Sequence, residues 1–480
     1  MFDKKSAVIH LKLFFTTSVM AFQQFVVGGV LGFSSVVLSQ LQRPESDFHV
    51  DAEQASWIAS LPLLLCPIGS LAFGYLSDRF GRNYALQLTY IPMLLSWIII
   101  SNAWCVECIY VARLLAGLTT GTGGVIYVYI AETSPTYSRP FYLLIFTLYV
   151  GLGLMTTAAL GVVCHWRTVS VVFAVTCLVG SVAPFFVPAT PMWLRSRGRE
   201  EEARRAELWF GFEVTPRCNG PAAEAQITAD GPASPCSAAA GVQNRWAVYA
   251  QPTVWKPAAA ALAFFCCQQA TGFYMLLFYS VDVLRDCRVP VDGMTATVYL
   301  CAARLTGTVV NLVFQSAPKR WLTVISGMGM GVALSVAICY MYTVGPSGSG
   351  GATGTFFGDA AEGLLLWAFL LYVFFAMFAV LPLPWSVCGE IFPMAVKGTM
   401  NGVLHSCGYE LMFGSIKVYP WLVATFGIRA VWTMCAGSCF ATALFGAFLL
   451  PETTGKTLNE ITDGFRSRKT AKPALITIIP

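Results

Sequence analysis

Glu132 and Glu390 each stand three residues before a proline and seven before a base. The two strings are Glu132–Thr–Ser–Pro135–Thr–Tyr–Ser–Arg139 and Glu390–Ile–Phe–Pro393–Met–Ala–Val–Lys397. Acids and bases so spaced can form ion pairs between helix ends. One exposed pair contributes about 1 kcal/mol at most, but several forming and breaking together can bias a two-state equilibrium. Asp78, Arg79 and Arg82 add such charges to one set, and Lys319, Arg320 and Glu452 to the other. The acids matter here, because orienting a chain in a bilayer needs only bases. Covalent chemistry has no comparable set: there is no nucleophile–His–acid group and no phosphate loop with lysine, so an enzyme is not expected. Cys105 and Cys108 form a CxxC, but with four histidines and no second cysteine pair neither a metal nor a cofactor is expected. Most of the 16 cysteines, such as Cys66, Cys177, Cys266 and Cys407, stand in apolar runs, where they act as small hydrophobes.

The elements that position these charges are read from hydropathy. Of 480 residues 56% are hydrophobic and 11% charged, against about 25% charged in soluble domains, and the mean hydropathy is +0.64. Apolar residues come in blocks long enough to cross a bilayer core of ~30 Å as helices, and unsatisfied backbone in lipid excludes most alternatives. Twelve runs are expected, near 13–40, 55–77, 84–103, 107–131, 139–163, 168–187, 254–284, 293–315, 321–343, 362–387, 399–425 and 428–450. The fold class is therefore an all-α membrane protein with the lipid bilayer as its solvent. The first run is too long for a secretory signal and is read as a retained helix.

About 22 of the 30 Lys and Arg fall on the side shared by both termini, which the positive-inside rule assigns to the cytoplasm. That asymmetry accounts for the net charge of +5 without a nucleic-acid partner. A polar stretch divides the chain: a charged segment at 197–209 precedes a Gly-, Pro-, Ala- and Ser-rich piece at 217–241 that reads as flexible linker. The expected organisation is a six-helix bundle over 1–190, a cytoplasmic linker with short helices over 191–253, a second bundle over 254–450 and a cytoplasmic tail over 451–480. A second loose loop is expected at 345–354. The acid–proline–base strings follow the fourth helix of one half and the tenth helix of the chain. Pro188–Ala–Thr–Pro191 and Pro451–Glu452 follow helices six and twelve. Matching positions in two halves indicate duplication, and parallel repeats of this kind belong to rocking transporters.

Five further strings lie in order along nearly the whole chain: GYLSDRFGR from Gly74, YIAETSP from Tyr129, QQATG from Gln268, PLPWSVCGEIFP from Pro382 and PETTGKTLNEI from Pro451. Together they resemble the sugar-porter family of the major facilitator superfamily. LGFSSVVLSQL from Leu31, Ala55 to Trp57 and Lys417 resemble the facilitated trehalose transporters and the related dileucine-sorted glucose transporters. The resemblance implies two pseudo-symmetric six-helix bundles and facilitative transport of a small neutral sugar, a hexose or a trehalose-like disaccharide, by a monomer working through alternating access. It implies a gating charge network of Asp78, Arg79, Arg82, Arg113, Glu132, Arg139, Glu390, Lys397 and Glu452. Proton-coupled members carry an Asp in helix one. This helix has no acid between Leu13 and Leu41, which favours uniport; proton-coupled sugar or polyol symport through Glu410 or His405 is the alternative. The plasma membrane is preferred, since no acidic dileucine motif stands in the first ten residues.

A sugar offers hydroxyls and weakly apolar faces, which suit amide side chains and an aromatic platform. The resemblance places Gln268, Gln269, Trp385, Tyr274 and Thr147 at the substrate. Adjacent amides point to different faces, so one of Gln268 and Gln269 is expected to serve packing. The pattern departs from glucose carriers at Thr147, Tyr274, Ala303, Met377, Gly408 and Tyr409, so glucose specificity does not carry over. Arg304, His405 and Glu410 are ionisable groups inside spans and hence functional suspects. They read as an Arg304–Glu410 pair, as a new anion or proton site, or as groups facing a water-filled cavity.

Overall fold

A computed structural model describes residues 4–42, 50–135, 138–212, 249–287, 289, 291–314, 317–343, 358–388, 391–392, 396–454 and 465. The expected loops at 217–241 and 345–354, Glu390 and nearly all of the tail beyond 454 lie outside them. The side chain of Lys397 also lies outside.

Span one is Lys4–Leu41; span two joins Ala52–Leu64 to Cys66–Phe80; span three is Arg82–Ser101; span four joins Val106–Thr120 to Gly123–Thr133. Span five is Arg139–Val163 and span six Trp166–Val182 with the short turn Ala183–Phe186. Two short helices, Pro191–Ser196 and Glu200–Phe210, follow. Span seven runs from Pro252 to Asp286 in three pieces, span eight is Gly293–Val313, span nine Lys319–Thr343 and span ten Gly358–Cys388 in three pieces. Span eleven is Lys397–Phe426 and span twelve Ile428–Phe448. Ten of these are long and apolar enough to cross a membrane. The other two are span seven, broken at Gly272, and span eleven, which carries His405, Glu410 and Lys417. The face bearing Glu200–Phe210 is called the linker face below, and its opposite the far face.

Bounds agree with the hydropathy runs to within about four residues, except at the start of span one. There His10 lies 3.2 Å from the Tyr142 hydroxyl, and the Lys12 ammonium sits 4.7 Å from the Trp209 ring centroid. Trp209 of the linker helix and Tyr142 of span five thus cover a polar stretch of span one that hydropathy alone excludes.

Close packing inside the first half rests on small residues, as expected where lipid gives no hydrophobic drive between helices. A side chain on Gly28 would collide with the Val150 carbonyl, and one on Gly153 with the Phe25 carbonyl, so spans one and five meet backbone to backbone.

Span ten is broken by its prolines. After Gly358–Phe375 the chain widens into a π-helical turn, Ala376–Val380, before Leu383–Cys388. Pro382 and Pro384 have no N–H, so the carbonyls of Phe378 and Val380 lose their helical donors. Side chains from three neighbouring spans act on the break. Asn311 Nδ2 donates to the Phe378 carbonyl. Gln268 Nε2 donates to the Leu381 carbonyl at 2.7 Å and approaches that of Val380 at 3.5 Å. Ser326 Oγ accepts from Val380 N at 3.1 Å. Broken helices survive in membranes where neighbours re-satisfy the backbone in this way.

Candidate functional site

Between the halves lies a cavity of about 210 Å³. Its wall comes from spans one, two, four and five of the first half and seven, eight, ten and eleven of the second. The amide of Gln24, the hydroxyls of Thr120, Thr147 and Tyr127, and the rings of Tyr274 and Trp385 face it. Among the described residues no Asp or Glu lines it.

Trp385 is held in place by rings on three sides. Phe265 meets it edge-on at 4.9 Å, and His405 and Tyr409 each lie 5.1 Å away between centroids. Such contacts fix the plane of an indole. The break in span ten brings Leu381, Pro382 and Trp385 to the cavity wall.

The expected site residues separate here. Thr147, Tyr274 and Trp385 line the cavity. Gln268 does not: it is fully buried with its amide on the Leu381 carbonyl. Gln269 also lies off the wall, with Oε1 at 3.5 Å from Ser415 Oγ and Nε2 without a partner. Gln24 went unnoticed in the sequence, although it follows the same logic of adjacent amides. Gln23 Nε2 packs against the Thr119 carbonyl and Thr122 Oγ, at 3.3 and 3.1 Å. Gln24 Nε2 donates to Gln23 Oε1 at 2.7 Å and lines the cavity.

The cavity is closed toward the far face. Lys417 Nζ donates to Ser56 Oγ at 2.7 Å and lies 3.8 Å from the Trp57 ring centroid. Trp57 in turn lies 6.2 Å from the Phe413 ring, and Gln42 Nε2 reaches Asp282 Oδ2 at 3.5 Å. These are the side-chain hydrogen bonds that cross between the halves among the described residues, and both lie at the far face. Gly124, which also lines the cavity, has open space beside it.

The linker-face charges tie elements together inside each half. Arg82 Nη2 lies 2.9 Å from Glu132 Oε1, joining the turn between spans two and three to the end of span four. Arg82 Nη1 lies 3.4 Å from the exposed Asp78. Arg79 Nη1 donates to the Tyr75 hydroxyl at 3.3 Å, and Arg139 Nη2 to the Ala131 carbonyl at 2.9 Å. Arg197 Nη2 donates to the carbonyls of Asp78 and Arg79 at 3.1 and 2.7 Å. In the second half Glu452 accepts from the backbone N–H groups of Lys319, Arg320 and Thr454 at 3.1, 3.2 and 3.0 Å. It thereby caps the start of span nine, where helix N-terminal donors are unpaired. Partial burial works to raise its pKa, but these hydrogen bonds outweigh it and hold the carboxyl below the ordinary glutamate value.

Arg113 sits apart from this group, fully buried in the first half. Its Nε donates to the Ile58 carbonyl at 2.9 Å and Nη1 to the Val30 carbonyl at 2.8 Å, while Nη2 meets Ser34 Oγ. Pro62 explains one of these bonds: without an N–H it leaves the Ile58 carbonyl four residues earlier open.

Arg304 and Glu410 are not paired, contrary to one sequence expectation. Arg304 lines the central cavity. Glu410 is exposed in a separate cleft with Pro67, Leu262 and Gly414. The reason is helical geometry: Tyr409 faces the cavity, and the next residue is turned about 100° away.

These features make up two six-span halves around a polar cavity closed at one face. The chain belongs to the Sugar (and other) transporter family, whose model matches residues 13–465. It is similar to the facilitated trehalose transporter Tret1 of Drosophila virilis, 26% identical over 94% of this chain and 49% of that one. The Drosophila grimshawi counterpart is 27% identical over 94% and 48%. The chain thus spans about half the length of these curated relatives. Its fold is similar to the xylose transporter XylE from E. coli in a partially occluded inward-open conformation, with TM-score 0.73, 18% identity and coverage of 93% of this chain and 100% of that one. An inward-open XylE structure matches with TM-score 0.70, 18% identity and coverage of 94% and 99%.

Proposed function

We propose that the chain moves a sugar down its gradient by alternating access, without proton coupling. One observation carries this reading: a cavity walled by the Gln24 amide, hydroxyls and aromatic rings, with no carboxylate among its described residues, and with the described cross-half hydrogen bonds at the far face. Hydroxyl-rich solutes need groups that donate and accept together, and Gln24, Thr147 and Tyr127 do so, while Trp385 offers an apolar platform. A proton-coupled carrier needs a titratable acid near its substrate, and Arg113 is satisfied by carbonyls and Ser34 instead. The relatives named for trehalose support a sugar as the class of solute.

The positive-inside asymmetry supports a cytoplasmic linker face and cytoplasmic termini, so the described state opens inward. In the outward-open state the charges around Asp78, Arg79, Arg82, Glu132 and Arg139 would meet those around Glu390, Lys397 and Glu452 and close the cytoplasmic side. The functional unit is the monomer, because each chain encloses its own cavity. The plasma membrane is its preferred location.

The test is uptake of labelled neutral and acidic monosaccharides, trehalose and polyols by purified protein in vesicles, with and without an imposed proton gradient. Uptake of a sugar that ignores the gradient is expected. Accumulation driven by the gradient, or uptake of none of these solutes, would contradict the reading.

A further inference from the structure

The cavity holds a charge that a neutral sugar does not need. Arg304 reaches its wall beside Tyr274 and Leu277. No acceptor on a described residue meets the guanidinium, and Nη1 is buried without a partner. The small void behind Arg304, between Ser280, Thr297 and Cys301, offers no acid either. Glu410 stands in the cleft on the other side of span eleven. An unpaired guanidinium inside a spanning segment is costly. Arg113 shows how this chain satisfies a structural arginine, with two carbonyls and a hydroxyl, and Arg304 has no such shell. In the same wall His405 Nε2 is also buried without a partner.

We propose that Arg304 makes the cavity a site for a sugar bearing a carboxylate, of the hexuronate class, whose charge completes the site. The proposal rests on the sugar-carrier reading and narrows its substrate from a neutral sugar to a sugar acid. A carboxylate matches one guanidinium in charge and in its planar pair of oxygens. A sugar phosphate, with a charge of roughly −1.5 to −2, would bring an excess that no second fixed cation in the wall offsets. The ring hydroxyls are left to Gln24 and Thr147 and the ring face to Trp385, all in the same wall.

The experiment compares labelled glucuronate and glucose uptake by the purified chain in vesicles, for the unchanged protein and for Arg304→Gln. Thermal unfolding of the unchanged protein in detergent is a second readout, which stands even where the variant fails to fold. Glucuronate is expected to half-saturate uptake at about one tenth of the glucose concentration (~1.4 kcal/mol), and Arg304→Gln to bring the two near parity. Glucuronate is also expected to raise the melting temperature more than glucose does, in chloride and in methanesulfonate buffers alike. Equal half-saturation in the unchanged protein, a preference that survives Arg304→Gln, or stabilisation reproduced by chloride alone would overturn the proposal; the last would mark a site for free small anions. Glucose uptake without a glucuronate preference defeats this inference and leaves the carrier reading standing. Uptake of neither defeats both.

Discussion

Lys417 Nζ lies 2.7 Å from Ser56 Oγ and 3.8 Å from the centroid of the Trp57 ring, so one ammonium fastens span eleven to span two at the far face. An ammonium over an indole contributes about 0.5–2 kcal/mol, and a hydrogen bond from a charged donor about 1.5–3 kcal/mol. Lys417→Met removes both, together at least about 2 kcal/mol, and is expected to shift the balance roughly thirtyfold or more toward a state open at that face. Spin labels replacing Glu53 and Val418 would report it as a longer distance in a larger share of molecules. An unchanged distance distribution would show that Lys417 does not hold the closed state.

Arg82 and Glu132 form the best-sheltered pair of the linker-face network, with side chains 12% and 14% exposed. Removing one partner leaves a nearly buried charge alone, which costs more than removing both. Glu132→Gln is therefore expected to lower the melting temperature and transport rate more than the double change Arg82→Gln with Glu132→Gln. A coupling of about 1–3 kcal/mol is expected from a double-mutant cycle; additive effects would mean that the pair does not act as a unit.

Gln24 and Gln268 should fail in different ways. Gln24→Ala removes a cavity amide and is expected to raise KM about tenfold (~1.4 kcal/mol,) with little change in melting temperature. Gln268→Ala leaves the Leu381 carbonyl without its side-chain donor and is expected to cost about 1–3 kcal/mol of stability. If Gln268→Ala instead raises KM without destabilising the protein, Gln268 belongs to the substrate and not to the break in span ten. Trp385→Ala should raise KM as Gln24→Ala does, and unchanged uptake in that variant would remove Trp385 from the site.

Glu452 gives a pH dependence. Its folded-state pKa lies below the ordinary glutamate value, about 4.3, so its contribution is complete above that value. The contribution is lost as pH falls through the depressed folded value. Melting temperature measured from pH 6 downward, on the order of steps of half a unit, should fall below about pH 4 in the unchanged protein and less steeply in Glu452→Gln. Identical slopes would exclude Glu452 as a source of acid sensitivity.

The spans were legible because a bilayer demands long apolar helices, whatever their partners. The start of span one was not, because Lys12 and His10 become acceptable only once Trp209 and Tyr142 are beside them. Trp385 and Tyr274 were legible as cavity residues through the family pattern. Gln268 shows the limit of that pattern: its amide donates to the Leu381 carbonyl at the break in another span. Arg304 and Glu410 looked like a pair because both are charged and both lie in spans. Only the rotation of span eleven separates them, and no local signal in the sequence sets that rotation.

Alternating access requires that one cavity be exposed to each face in turn. Counterflow tests this most directly: vesicles holding purified protein are preloaded with unlabelled sugar, and labelled sugar is added outside at low concentration. A transient overshoot of labelled sugar inside, above its outside concentration, is expected in the absence of any proton gradient. Labelled sugar that only rises to equality, at a rate indifferent to the preload, would contradict it.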